Sequence, residues 1–138
     1  MKVKIRETKA EDFQEIKNLL ENQDLWADFP KETFIKMLER NQGCYLVAEA
    51  NGKTVGNVFG SHDGGLSGYI YKLAVDQKFQ RQKIASRLVR ELLKRFKKAG
   101  IEWIYAHVHP NNKTSMAFFK TLGFDLRNDR LIIDNWKE

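Results

Sequence analysis

One stretch constrains this chain more than any other: residues 69–93, YIYKLAVDQKFQRQKIASRLVRELL. It opens on an apolar, aromatic run suited to a buried strand and passes through a short polar turn. It continues as an amphipathic helix with Ile84, Leu88, Val89, Leu92, Leu93 and Phe96 on one face. A helix that begins just after a strand gathers unpartnered backbone N–H groups and the positive end of its dipole at one point. That is the geometry of a phosphate site. The charges agree. Residues 78–98 hold nine Lys/Arg (Lys78, Arg81, Lys83, Arg87, Arg90, Lys94, Arg95, Lys97, Lys98) against one acid, Glu91, a local +8 where the whole chain carries +6. The basic charge is concentrated where the phosphate geometry is, and an anionic partner is expected.

At 138 residues the chain is long enough for one domain with a full core. Its 42% hydrophobic and 12% aromatic content is ordinary for a globular protein and argues against disorder. No apolar run approaches the ~18 residues of a membrane-spanning helix, and the start, MKVKIRETKAEDF, has no signal-peptide core. The single cysteine, Cys44, allows no intrachain disulfide and reads as a small buried hydrophobe. A cytoplasmic location is expected from these features.

The remaining elements follow from periodicity and punctuation. Val3 and Ile5 suggest a strand. Thr8 to Glu11 fits a capping box, ahead of a helix carrying Phe13, Ile16, Leu19 and Leu20. A second helix is expected from Pro30, with Phe34, Met37 and Leu38 inward and an end near Asn41-Gln42-Gly43. Tyr45 to Ala50 and Thr54 to Ser61 read as a hairpin about Asn51-Gly52. Tyr69 to Val75, Ile101 to Val108, Phe124 to Leu126 and Arg130 to Trp136 are further strands. A last helix follows Pro110-Asn111-Asn112 and closes at Gly123. This order predicts an α/β (α+β) three-layer sandwich: a mixed, mostly antiparallel sheet of about seven strands flanked by about four helices. The unit 69–108 is expected to be a parallel crossover.

Three groups of residues now acquire a joint meaning. They are Leu73-Ala74-Val75, then Gln80-Arg81-Gln82-Lys83-Ile84-Ala85, then Asn112-x-x-Ser115-x-x-Phe118-Phe119-x-x-Leu122-Gly123-Phe124. In this order and at this separation they resemble the GNAT superfamily of acetyl-CoA-dependent N-acetyltransferases, over nearly the whole chain. The resemblance implies a single N-acetyltransferase domain over 1–138. It would move an acetyl group from acetyl-CoA to a primary amine of a small molecule or peptide, by direct attack in a ternary complex. It further implies that Leu73, Ala74 and Val75 offer backbone hydrogen bonds to the pantetheine arm, between strands 69–75 and 101–108, which splay apart in this family. Gln80, Arg81, Gln82, Lys83, Ile84, Ala85 and Ser86 would wrap the pyrophosphate. Asn112, Ser115, Phe118 and Phe119 would contact the cofactor.

Two positions depart from the family pattern. Lys83 stands where the family usually has glycine, which lets backbone approach phosphate at no steric cost. Its side chain would point to solvent, touch a CoA phosphate, or spoil the site. Phe119 stands where many members have a proton-donating tyrosine, and a phenyl ring donates no proton. The proton donor would then be Tyr71 or Tyr105, and His107 is a candidate base. Each of these also has a plain structural reading, as packing rings or an exposed histidine. The acceptor amine would meet Trp26, Phe29, His62, Asp63 and Tyr69. The cluster Asp24, Trp26, Asp28, Phe29 would suit a cation near a ring face, and its structural reading is that the two rings anchor helices to the sheet. Lys83 and Phe119 also support an alternative, an acyl-CoA-binding module with little or no transferase activity. No metal site is expected from three histidines and one cysteine without ligand spacing. No helix-turn-helix or RNA-binding signature supports nucleic acid as the partner, and no membrane partner is expected. A homodimer through the C-terminal segment DRLIIDNWKE is the remaining expectation.

Overall fold

The computed structural model describes residues 2–127, with the side chains of Arg81 and Gln82 outside the description. The chain divides into two compact units, Met1–His107 and Val108–Glu138.

The first unit is built on a sheet of five strands: β1 (Val3–Glu7), β2 (Tyr45–Ala50), β3 (Lys53–His62), β4 (Ser67–Val75) and β5 (Trp103–Ala106). They lie in chain order, antiparallel except for the parallel pair β4 and β5. The β2–β3 turn is Asn51-Gly52, both at positive φ (53° and 75°), as a tight hairpin requires. The parallel pair needs a crossover, supplied by α3 (Ile84–Lys98).

Alternation along the strands sends two sets of side chains to the two faces. One face seats α3, whose Ile84, Leu88, Val89, Leu92 and Phe96 are fully buried. Each such burial contributes about 2 kcal/mol. The approach is close because the sheet offers glycine there. A Cβ on Gly60 would stand 2.9 Å from Leu92 Cδ1 and 2.9 Å from the Cys44 carbonyl oxygen. The other face carries α1 (Phe13–Asn22) and α2 (Lys31–Arg40). Between them lies a ring cluster: Phe34 is 5.3 Å from Phe13 and 6.2 Å from Phe59, and Phe59 stacks on Tyr45 at 4.6 Å. Cys44 is buried, as a small hydrophobe should be.

The second unit contains α4 (Lys113–Thr121). The Asn112 side chain caps it by accepting from the Ser115 N–H at 3.0 Å. Phe119 is buried, with ring contacts to Phe118 and Phe124, and Gly123 turns the chain at φ 94°.

Four expectations need correction. The described residues hold five strands rather than about seven. Phe124 to Leu126 forms no strand, because the backbone turn through Gly123 leads its N–H groups back to α4, as in Phe124 N–H to Phe119 O at 3.1 Å. Arg130 to Trp136, and with it the suggested dimer edge, lies outside the described residues. The cap before α1 is shifted by one residue. Asp12, not Glu11, returns to accept from the Lys9 N–H at 2.8 Å, because its carboxylate is also gripped by Arg6. The α2 helix begins at Lys31, with Pro30 as its extended N-cap residue.

That Arg6 grip ties β1 to the start of α1. Arg6 meets both oxygens of Asp12 at 2.8 and 2.9 Å and Glu49 Oε1 at 2.9 Å. Burial alone would raise the Asp12 carboxyl, but the bonds from Arg6 and Lys9 outweigh it and hold it below its ordinary value. Asp12→Ala should therefore lower the unfolding free energy by about 1–3 kcal/mol in urea denaturation at pH 7. A carboxyl lowered in the folded state contributes stability above its unfolded value and loses it as pH falls through the folded one. The deficit of the variant should accordingly shrink below about pH 4.

Candidate functional site

The site begins where β4 and β5 part. Their pairing runs from Ser67↔Trp103 to Ile70↔Ala106 and ends with the His107 N–H on the Ile70 carbonyl at 2.9 Å. β4 continues alone on that side to Val75. Its next residues remain paired with β3, but with a slip in register between Asn57 and Phe59. The slip is a bulge centred on Lys72, which holds φ 53°. A non-glycine residue in that region is strained. Asn57, fully buried, keeps it there by donating its Nδ2–H to the Lys72 carbonyl at 2.9 Å. A bulge bends its strand and sharpens the local twist, which turns the end of β4 away from β5. Leu73, Ala74 and Val75 thus lie on the freed edge that the sequence reading marked for cofactor contact.

Beyond Val75 the chain makes a short 3₁₀ turn, Gln77–Gln82. Asp76 opens it by accepting from the Lys78 N–H at 2.9 Å. Gln80 does not project from the turn. Its side chain donates back to the Val75 carbonyl at 3.1 Å and pins the turn to the strand. Lys83 then adopts φ 59°, ψ 26° and launches α3. This explains why glycine suits the position: it reaches the left-handed region without a Cβ clash. The Lys83 side chain is exposed, in keeping with the reading in which only its backbone is used. It makes no capping bond, and the first turn of α3 has no acid. The i→i−4 ladder opens with the Arg87 N–H on the Lys83 carbonyl, so the amides of Ile84, Ala85 and Ser86 precede it. Ser86 Oγ accepts from Arg90 at 3.0 Å.

The remaining candidates fall on different faces. Tyr69 stacks on Tyr105 at 5.7 Å and lies 5.4 Å from the exposed His107 ring, so these three stand together at the seam of β4 and β5. Tyr71 leans the other way, over Phe59. Its hydroxyl meets the Tyr45 hydroxyl at 2.7 Å. Burial raises the Tyr71 phenol against hydrogen bonds from Tyr45 and Ser61 that lower it, and burial raises Tyr45 further. Trp26 is 63% exposed, whereas Phe29 is 7% exposed and packs against Phe13 and Phe59. Phe29 is therefore a core ring, and its expected contact with an acceptor is withdrawn. His62 and Asp63 form the β3–β4 turn at the far end of β4. The His62 ring packs on Phe96 of α3, and Asp63 Oδ1 accepts from the N–H groups of Gly65, Leu66 and Ser67. The structure does not bring them to the Tyr69 cluster. Asn112, Ser115, Phe118 and Phe119 belong to the second unit, described above.

The sequence reading missed Asn57, Tyr45 and Lys72. Two signals were present: an amide in the middle of an apolar strand, and the lone charge in SGYIYKLAV. Among the described residues no group of three or more His, Cys, Asp or Glu could hold a metal, and no helix is long and apolar enough to cross a membrane.

A strand that frees its edge and then feeds a left-handed residue and a basic helix is the arrangement the motifs anticipated, and the family model for the acetyltransferase (GNAT) family matches residues 5–124. The chain belongs to this family. Solved structures with the same fold include Ard1 from Thermoplasma volcanium, 20% identical with a TM-score of 0.84, covering 92% of this chain and 85% of that one. PaiA N-acetyltransferase from Thermoplasma acidophilum, in complex with coenzyme A, is 19% identical with a TM-score of 0.82, covering 94% of each chain. Glucosamine-6-phosphate N-acetyltransferase from Arabidopsis thaliana is 20% identical with a TM-score of 0.73, covering 98% of this chain and 99% of that one. This GNAT-type acetyltransferase differs from the common family pattern at Lys83, where the left-handed backbone is retained without glycine. Lys83→Gly should therefore raise the unfolding free energy by about 1 kcal/mol in chemical denaturation, by removing Cβ strain.

Proposed function

We propose that this protein binds acetyl-CoA along the freed edge of β4 and transfers its acetyl group to a primary amine in a ternary complex. The observation that carries the reading is the continuity of the opening after Ile70, the bulge at Lys72 and the amide-rich start of α3. The family model supports it by running across the boundary between the two compact units, as expected if 1–138 acts as one domain. The residues fit the cofactor. The edge of β4 from Leu73 to Val75, which β5 does not pair, suits an amide-bearing arm, and the first amides of α3 suit a pyrophosphate. Lys83 and Arg87 add positive charge at that end of the helix.

Bound acetyl-CoA supplies an activated acyl carbon; the amine nitrogen bonds to it as the carbon–sulfur bond breaks and the thiolate leaves. The chain has to expose a neutral amine to that carbon and handle two protons. His107, at the last paired position of the opening, is the group we assign to take the proton of the incoming ammonium, since imidazole is the side-chain type suited to that task near neutral pH. Tyr105, beside Tyr69 on the same seam, is assigned to protonate the departing sulfur in place of the hydroxyl that Phe119 lacks. Tyr71, turned toward Tyr45, holds the wall of the acceptor side.

Calorimetric titration with acetyl-CoA and with its 3′-dephospho form tests the binding. Micromolar affinity, weakened without the phosphate, is the expected outcome; no binding would remove the reading. His107→Gln should lower kcat about 100-fold with acetyl-CoA affinity unchanged. Phe119 favours a second reading, an acyl-CoA-binding module. Tight acetyl-CoA binding with no thiol release over a broad amine panel would establish it.

A further inference from the structure

The bulge uses the backbone of Lys72, and its side chain has no role so far. It is the only charged residue of β4. It sits at the bulge two residues beyond the last β4–β5 pair, with its backbone in the strained left-handed region. Its side chain runs to the α1–α2 side of the sheet, where the Nζ atom stands 5.2 Å from the centroid of the Trp26 ring. The ammonium is half-buried, and burial lowers its pKa from the ordinary value. Asp24 and Asp28 are exposed on the same connection, yet no ion pair with Lys72 forms among the described residues. A partly desolvated cation without a counterion is costly. Backbone strain of this kind persists where the surroundings over-determine it, and it gathers at functional sites. Here Asn57 supplies the restraint.

The acidic-aromatic cluster expected to attract a cationic amine is thus occupied by the chain's own cation. A polyamine or an arginine-rich peptide entering from this side would meet a like charge at the ring face that should hold it. An acceptor with an acidic group would instead give Lys72 the counterion it does not find among the described residues. We propose that Lys72, positioned over Trp26, is an anion subsite on the acceptor side of the opening, so that the amine acetylated by this protein also bears a carboxylate or phosphate. The inference rests on the transferase reading above and narrows its substrate class.

The bland role for the pair is a cation–π staple for the α1–α2 connection. A staple would affect stability but not the choice between acceptors. The test measures acetyl-CoA-dependent thiol release over primary amines in matched pairs: free amino acids against their amides, and glucosamine 6-phosphate against glucosamine. Each pair is run with the wild type, Lys72→Gln, Lys72→Glu and Lys72→Arg, and the change in each kcat/KM ratio on substitution cancels differences in amine basicity. For at least one pair the acid-over-blocked ratio should be about tenfold higher in the wild type than in Lys72→Gln, as for one charge-assisted hydrogen bond. Lys72→Glu should lower the ratio below that of Lys72→Gln, and Lys72→Arg should restore the wild-type value. Equal ratios in all four proteins would overturn the subsite. A protein that binds acetyl-CoA yet acetylates no acid-bearing amine would overturn it too. Failure to bind acetyl-CoA at all would remove the transferase reading beneath it.

Discussion

The separation of two parallel strands governs this molecule. β4 and β5 share hydrogen bonds only from Ser67 to Ile70, and past that point β4 keeps its β3 partner while its other edge is released. Backbone N–H and C=O groups demand partners wherever they are shielded from water, so an opened edge inside a fold favours a polar, extended ligand. The bulge at Lys72 redirects the strand, and the Asn57 amide holds the bulge in place. Glycines at 56, 60 and 68 let α3 lie flat on the opposite face, which aims the start of that helix at the end of the same strand.

Strain is spent near that opening. Among the described residues, four that are not glycine hold positive φ: Asp24, Asn51, Lys72 and Lys83. Asn51 belongs to a tight hairpin, where its short amide side chain tolerates the conformation. Lys72 and Lys83 bracket the free end of β4, and Asp24 lies in the connection that carries Trp26. Two lysines in a region that disfavours side chains place cations on either side of one strand end, one at the helix start and one over the Trp26 ring. The Arg6, Asp12 and Glu49 cluster does different work: it joins β1 and β2 to the α1 entry, away from the opening.

Much of this was legible in the residues. The helix 84–98 announced itself by period and basic charge, Asn51-Gly52 announced the hairpin, and the motif at 80–85 announced the family. Other features were not legible, for identifiable reasons. A bulge depends on register between two strands, and no local pattern in IYKLAV marks one. Tyr71 and Tyr45 are 26 positions apart, and only the β2–β3–β4 register brings their hydroxyls together. His62 and Asp63 looked like chemistry because of residue type alone. Their nitrogen and oxygen are taken up by the turn, where His62 Nδ1 accepts from the Gly64 N–H at 2.9 Å. Phe29 looked like a ligand ring because aromatic composition does not reveal whether a ring on the α1–α2 connection turns out to solvent or in to the core.

Taken by itself, the sequence determined the order of the elements from β1 to α4 and pointed to the family. These depend on short-range periodicity, capping and turn chemistry, which neighbouring residues encode. Only the tertiary structure decided which side chains face the opening. It set His107 and Tyr105 beside Tyr69, turned Tyr71 toward Tyr45, buried Phe29 and placed Lys72 over Trp26. Those outcomes depend on strand register and on one shifted residue in β4. A single-residue shift exchanges the two faces of a strand while leaving the order of amino acids unchanged.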